Sequence, residues 1–304
     1  MVKTSIITVN YNQPLVTIDF LKSVEANTKA DEVEVILVDN GCDEDHRLLF
    51  EATYPKLIYI NSGKNLGFAG GNNLGIKIAQ GEFLLFLNND TEITLNLVDV
   101  LTDELETNPE IGLISPLIVY FDDPQVIQYA GFTPMNYLTC RNKGIGNMEK
   151  NVGQYSSQSR ETGYCHGAAM MCRKDFLDSV GLMEELYFLY YEELDWCEKF
   201  KRAGKKIWFT GKCVVFHKES ISVGKESAIK TYFMTRNRML FIRRNTDSLT
   251  TLLFSLYYIF FVSTAKLIFY LVRGRFDLAK QVFAGVKWNF KNRKESQKIG
   301  FKLS

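Results

Sequence analysis

Short apolar runs of strand length recur through the first ninety residues, and each stops at an amide or a carboxylate. Ser5-Ile6-Ile7-Thr8-Val9 runs into Asn10-Tyr11-Asn12, Val33 to Val38 into Asp39-Asn40-Gly41, Leu57 to Ile60 into Asn61, and Phe83 to Leu87 into Asn88-Asn89-Asp90-Thr91. Their β-branched and aromatic content predicts buried strands with polar tips. Between them Leu15, Ile18, Leu21 and Val24 recur at nearly helical spacing over 15–27, and 72–79 predicts a second helix. Alternation of this kind predicts an α/β domain with a mostly parallel sheet flanked by helices. Parallel strands bring their carboxyl ends to one edge, so Thr8, Asn10, Asp39, Asn65 and Asp90 are expected at one crevice. One such tip is an ordinary Asx turn, whereas several aligned tips make a site.

The segment 61–75 holds Gly67, Gly70, Gly71 and Gly75 among asparagines and predicts a glycine-rich loop. It lacks the Gly-Lys-Ser/Thr ending of a P-loop and the spacing of a dinucleotide fingerprint. A helix is expected from Leu95 to Leu105 and a strand at 112–115, followed to about residue 160 by a weakly periodic region suited to acceptor-side loops. Gly167 to Arg173 predicts a small-residue strand, and Tyr187 to Cys197 an acidic, aromatic helix start. Carboxylates there complement the helix dipole or supply a reactive group; Glu193 and Asp195, two apart, cannot share a face, so at most one of them reacts. Two more short apolar segments, 206–209 and 214–216, lead to His217 at another strand end, where a structural and a ligand role are both open.

Composition changes this picture mainly at the C-terminus. The 304 residues are 46% hydrophobic, enough for a sizeable core, and the net charge of +1 conceals an asymmetry, because residues 225–304 carry 16 Lys/Arg against 4 Asp/Glu. Arg236, Arg238, Arg243 and Arg244 suggest contacts with a diphosphate or lipid headgroups, or a solvated helix face. Ser248 to Ala265 is uncharged, and Ala279, Val282, Phe283, Val286 and Phe290 alternate with Lys280, Lys287 and Lys291 as in a basic amphipathic helix. An α/β domain over 1–224 and a membrane-associating or oligomerising helical region over 225–304 are therefore expected. The preferred reading is monotopic or peripheral attachment to the cytoplasmic face through anionic lipid, with a buried hairpin or homo-oligomer interface as the alternative. The six cysteines form no CxxC pair, which predicts reduced thiols, and no export signal is expected at the N-terminus.

The motifs Ser5 to Asn12, Val38-Asp39-Asn40, Asn65 to Gly75, Phe86 to Thr91, Gly167 to Met170 and Tyr191 to Asp195 occur in one order. Over residues 3–245 that order resembles the family 2 glycosyltransferases of GT-A fold, in particular the bacterial polysaccharide and rhamnosyl-type branch. The resemblance implies inverting transfer from a UDP- or dTDP-linked sugar to a glycan or a polyprenyl-diphosphate-linked acceptor, with Mg²⁺ or Mn²⁺ as cofactor and no nucleic acid. By that likeness Thr8, Asn10 and Tyr11 line the base and ribose pocket, Asp39 and its neighbour Asn40 receive the base, and Asn65, Gly67, Phe68 and Asn73 shape the nucleotide floor. Asn88-Asn89-Asp90 stands for a DxD-type motif, with Asn89 beside the donor, Asp90 as metal ligand and His217 completing the shell. Where relatives carry Glu-Asp this chain has Glu192-Glu193, so Glu193 is the expected base and Asp195 the alternative. A sugar nucleotidyltransferase and a non-catalytic nucleotide-sugar-binding partner are the rival readings.

Overall fold

The computed structural model describes residues 2–29, 31–218 and 227–302. The expected strands appear as β1 (Thr4–Asn10), β2 (Val33–Asp39), β3 (Ile58–Asn61) and β4 (Phe83–Leu87), separated by α1 (Pro14–Asn27), α2 (Arg47–Thr53) and α3 (Gly67–Ile78). Strands β1, β2 and β4 are buried along nearly their whole length, as strands covered on both faces must be. Next come β5 (Thr91–Ile93), α4 (Leu97–Thr107), β6 (Ile111–Tyr120), β7 (Ile127–Tyr129), β8 (Ser159–Glu161) and β9 (Ala169–Arg173). They are followed by α5 (Leu177–Val180), α6 (Glu192–Arg202) and β10 (Lys206–His217). The chain closes with α7 (Ala228–Asn245), α8 (Ser248–Tyr257), a π-helical turn, α9 (Thr264–Val272) and α10 (Phe276–Lys291).

One sheet runs β3-β2-β1-β4-β9-β6-β10-β5, with β7 beside β6 and β8 beside β10. The first four strands are parallel as expected, whereas β9 enters antiparallel between β4 and β6 and makes the second half mixed. Strand direction leaves no trace in apolar periodicity. The two segments expected at 206–209 and 214–216 are one strand whose register against β6 shifts between Thr210 and Val214.

The glycine-rich segment departs most from expectation. It is not a loop beyond Leu66, because α3 already starts at Gly67. A Cβ at Gly75 would stand 2.5 Å from Ile7 Cγ2, and one at Gly71 2.8 Å from Val9 Cγ1. These glycines therefore let α3 lie close on β1, and their smallness serves helix–strand packing. All six cysteines are free.

The boundary expected after residue 224 lies outside the described residues. Immediately beyond them, α7 contributes Met239, Leu240, Phe241 and Ile242 to the same apolar cluster as Trp196 and Phe200 of α6. The continuous helix Ser248–Val272 is long and apolar enough to cross a membrane, and little of it is buried against the rest of the chain.

Gly75→Val is expected to destabilise the fold by about 1–3 kcal/mol, the usual cost of forcing extra methyls into a packed contact. Urea denaturation checks this; an unchanged midpoint would contradict the close α3–β1 contact.

Candidate functional site

The tips of β1, β2 and β4 meet through one side chain. Asn10, fully buried, donates from Nδ2 to Asp39 Oδ1 at 2.9 Å, while its Oδ1 accepts from Thr17 Oγ1 at 3.0 Å and Asn89 Nδ2 at 3.4 Å. Asp39 takes a second bond on Oδ2 from the Tyr59 hydroxyl at 2.8 Å. Asn40 supports the next layer, donating to Gly67 O at 3.1 Å and accepting from Leu66 N at 3.0 Å, and Asn65 Oδ1 accepts from Gly67 N at 2.9 Å. Tyr11 is exposed above this floor and Phe68 is half-buried. Phe68 N donates to Phe188 O at 2.9 Å, so α3 touches the turn that precedes α6.

Of the expected residues, one is enclosed and two are engaged elsewhere. Thr8 is fully buried with its hydroxyl unpartnered, beneath the crevice rather than on it. Asn73, expected on the nucleotide floor, donates from Nδ2 to Met183 O and Glu185 Oε1, both at 2.9 Å, and accepts from Met183 N at 3.2 Å; it tethers α3 to residues 183–185. Asp195 is enclosed by Tyr187 Oη at 2.9 Å, Asn245 Nδ2 at 2.8 Å and Arg244 Nε at 3.6 Å. It joins α6 to α7.

At the end of β4, Asn88 N donates to Ala168 O at 3.0 Å and Asn89 Nδ2 to Thr17 Oγ1 at 2.9 Å, fixing the turn that carries Asp90. Antiparallel pairing of Thr91 with His217 sets the end of β10 beside that carboxylate. Asp90 Oδ1 is buried and lacks a hydrogen-bond donor, yet lies 3.2 Å from His217 Nε2. His217 Nδ1 lies 2.8 Å from Gln128 Oε1, and since that amide oxygen only accepts, Nδ1 carries the proton. Nε2 is thereby the ring nitrogen turned toward the Asp90 carboxylate. A buried carboxylate oxygen without a hydrogen-bond donor and an imidazole nitrogen facing it suit a shared cation, which fits a divalent metal held by Asp90 and His217. Among the described residues no group of three or more His, Cys, Asp or Glu converges as a metal cage. Mg²⁺ commonly keeps just one or two carboxylates, completing its shell with water and substrate phosphate.

His166 was not singled out by the sequence reading, although the run Cys165-His166-Gly167 precedes a small-residue strand. Its ring meets that of His217 edge-on at 5.9 Å, and Nδ1 accepts from Ala168 N at 3.1 Å. Burial first, and then the neighbouring His217, hold its pKa down to about 3, so it stays neutral. Gln128, on β7, was likewise missed.

Glu193 borders Gly167, where an added Cβ would stand 3.6 Å from Glu193 Cγ. Burial raises its pKa above the ordinary glutamate range. Glu192 is raised well above that range by burial and then by the Glu193 charge, and its Oε2 has no partner. Of the acidic residues at the start of α6, Glu193 alone combines partial exposure with a position beside Gly167.

A mixed α/β sheet of this order, with its polar strand tips and one acidic helix start at a common edge, is the architecture of a GT-A glycosyltransferase. The solved structure of GalNAc-T7 with UDP, GalNAc and Mn²⁺ superposes with a TM-score of 0.59 at 17% identity, over 71% of this chain and 44% of that one. Staphylococcus aureus TarS 1–349 in complex with UDP gives 0.55 at 16% identity, over 88% and 75%. The chain belongs to the glycosyl transferase family 2, whose model matches residues 5–181. It is 29% identical over 216 residues to a low-salt glycan biosynthesis hexosyltransferase of Haloferax volcanii, covering 68% of this chain and 66% of that protein. It is 24% identical over 237 residues to the N-acetylglucosaminyl-diphospho-decaprenol L-rhamnosyltransferase of Mycobacterium tuberculosis, covering 69% and 74%.

Glu192 gives a pH prediction. Its folded pKa is raised, so the stability it contributes is present below the ordinary glutamate range and is lost as pH rises through the raised value. Glu192→Gln is expected to raise the urea midpoint at pH 8 and leave it nearly unchanged at pH 4. An equal effect at both values would contradict the burial argument.

Proposed function

We propose that the chain is an inverting hexosyltransferase of cell-surface glycan synthesis. It moves a sugar from a UDP- or dTDP-linked donor to a hydroxyl of a polyprenyl-diphosphate-linked or glycan acceptor. The observation that carries this reading is the buried, donor-less Asp90 Oδ1 facing His217 Nε2 at the edge where the strand tips meet. Asp90 and His217 hold Mg²⁺ or Mn²⁺, which when bound offsets the charge of the leaving diphosphate. Asp39, Asn40, Asn65, Gly67 and Phe68 border the nucleotide pocket, with Tyr11 over it, and Asn10 and Asn89 fix its floor. Glu193 takes the proton from the acceptor hydroxyl as that oxygen attacks the anomeric carbon, a task helped by a carboxylate pKa raised toward neutrality. Its rival Asp195 already bonds Tyr187 and Asn245.

Residues 1–224 carry the transfer, and the C-terminal helices attach the enzyme to the cytoplasmic face of the membrane. Leu252, Phe260, Phe261, Ile268 and Val272 are exposed on the 248–272 rod, and Phe276, Phe283 and Phe290 repeat every seventh residue on α10. Arg273, Arg275, Lys280, Lys287 and Lys291 accompany them, a charge pattern complementary to anionic headgroups.

Asp90→Ala and Glu193→Gln are each expected to lower release of nucleoside diphosphate from dTDP-rhamnose, UDP-glucose or UDP-galactose with Mn²⁺ by about 100-fold or more. Full turnover by either variant removes that assignment. For attachment, Phe260, Phe261 and Phe269 changed together to Ser should reduce pelleting with phosphatidylglycerol vesicles by at least about 100-fold, since each buried Phe is worth ~1.5–3 kcal/mol. Undiminished pelleting rejects the lipid role, and a dimer in light scattering that the triple change dissolves assigns this face to self-association.

A further inference from the structure

The helix that carries Glu193 starts from a turn that its own sequence does not favour. Phe188, Tyr190 and Tyr191 have φ of 65°, 68° and 79°, and left-handed backbone costs a non-glycine residue roughly 1–2 kcal/mol. The carbonyls of this turn also face inward and need donors. Both needs are met by α7. Arg236 Nη2 donates to Leu186 O at 2.5 Å and Nη1 to Tyr187 O at 3.4 Å. Asn237 Nδ2 donates to Tyr187 O at 3.0 Å, Leu189 O at 2.7 Å and Tyr190 O at 2.8 Å.

Arg236 and Asn237 are both fully buried, and among the described residues Arg236 has no carboxylate partner. A cation buried in this way is expensive, and here its fork serves the two backbone carbonyls. α10 braces the arrangement from behind. Asn289 Nδ2 donates to Arg236 O at 2.9 Å, and the Arg236 guanidinium lies 4.3 Å from the Trp288 ring centre. Gly285 sits so near that a Cβ there would be 3.0 Å from Arg236 N.

We propose that Arg236 and Asn237 are positioning residues for sugar transfer: they hold the left-handed turn 187–191 and thereby fix where α6 presents Glu193, with α10 as their brace. The inference rests on the reading of Glu193 as the base. It also makes the C-terminal segment part of the catalytic apparatus as well as its attachment.

The test uses the full chain on vesicles bearing polyprenyl-diphosphate-linked N-acetylglucosamine. The donor is whichever of dTDP-rhamnose, UDP-glucose or UDP-galactose the wild type turns over, and rates are normalised to the fraction that binds UDP or dTDP with Mn²⁺. Asn237→Ala, and Arg236→Lys, which keeps the charge and loses the fork, are each expected to lower kcat about 10–100-fold with donor KM within about twofold, as misplacement of a reactive group by an ångström does. Wild-type kcat in both variants overturns the proposal. So does a parallel loss of kcat and donor affinity, or the disappearance of nucleotide binding, since either means that these residues serve the fold at large. Glu193→Gln is measured alongside. Full turnover in that variant rejects the base assignment alone, whereas wild-type hook variants beside an inactive Glu193→Gln reject the positioning role alone.

Discussion

The crevice depends on a single amide. Asn10 closes β1, and its two N–H groups and its carbonyl oxygen are all committed, to Asp39 and Cys42 on one side and to Gln13, Thr17 and Asn89 on the other. An amide has no capacity left after such a set, so the relative positions of the β1, β2 and β4 tips and of the start of α1 are fixed together. In a buried, low-dielectric setting these bonds strengthen one another, and the loss of one member leaves several polar atoms unsatisfied. Asp39 and the Asn89-Asp90 turn, which lie on different strands, are thereby held in register with each other. The groups at the strand tips are thus arranged by a residue that is itself fully enclosed.

Much of the parallel half was legible in the sequence because its signals are local. An apolar run ending in Asn or Asp marks a buried strand and its polar tip together, and β1, β2 and β4 appear within a residue or two of where those runs lie. What was not legible depends on partners distant in the chain. The glycines of 67–75 read as loop, since composition cannot distinguish freedom of backbone from thinness of a packed helix; the contacts of Gly71 and Gly75 with Val9 and Ile7 decide it. Charge on α7 read as diphosphate, headgroup or solvent contact, but Arg236 spends it on buried carbonyls. Asn73 and Asp195 have the right chemistry for a site, and side-chain chemistry alone does not reveal that Met183 and Glu185, or Tyr187 and Asn245, already occupy it. His166 and Gln128 became visible only through His217, whose ring they border.

The amphipathic reading of α10 needs a similar correction. Ala279, Val282, Phe283, Val286 and Phe290 were read as one apolar face, yet Ala279 and Val282 are buried with Leu278, Gly285 and Trp288, while Phe283 and Phe290 are exposed with Phe276. The helix has two apolar surfaces of different use. One is small and polar-studded, fitted to α7 through Gly285 and Asn289. The other is a stripe of three phenylalanines at seven-residue spacing among lysines.

This division ties location to chemistry in a definite way. The inner surface touches Arg236, Arg236 touches the turn at 186–187, and that turn leads within six residues to Glu193. The three phenylalanines of the outer stripe are exposed. The exposed apolar stripe of Phe276, Phe283 and Phe290 can therefore be altered without disturbing the brace, whereas deletion of the whole segment removes both at once. A chain shortened near Arg244 loses the Asn289 bond and the Trp288 stacking along with its apolar surface, so its behaviour alone cannot report on attachment. The face-by-face separation of the helix, rather than its presence or absence, is what distinguishes the proposed attachment of the enzyme from the proposed placement of its base.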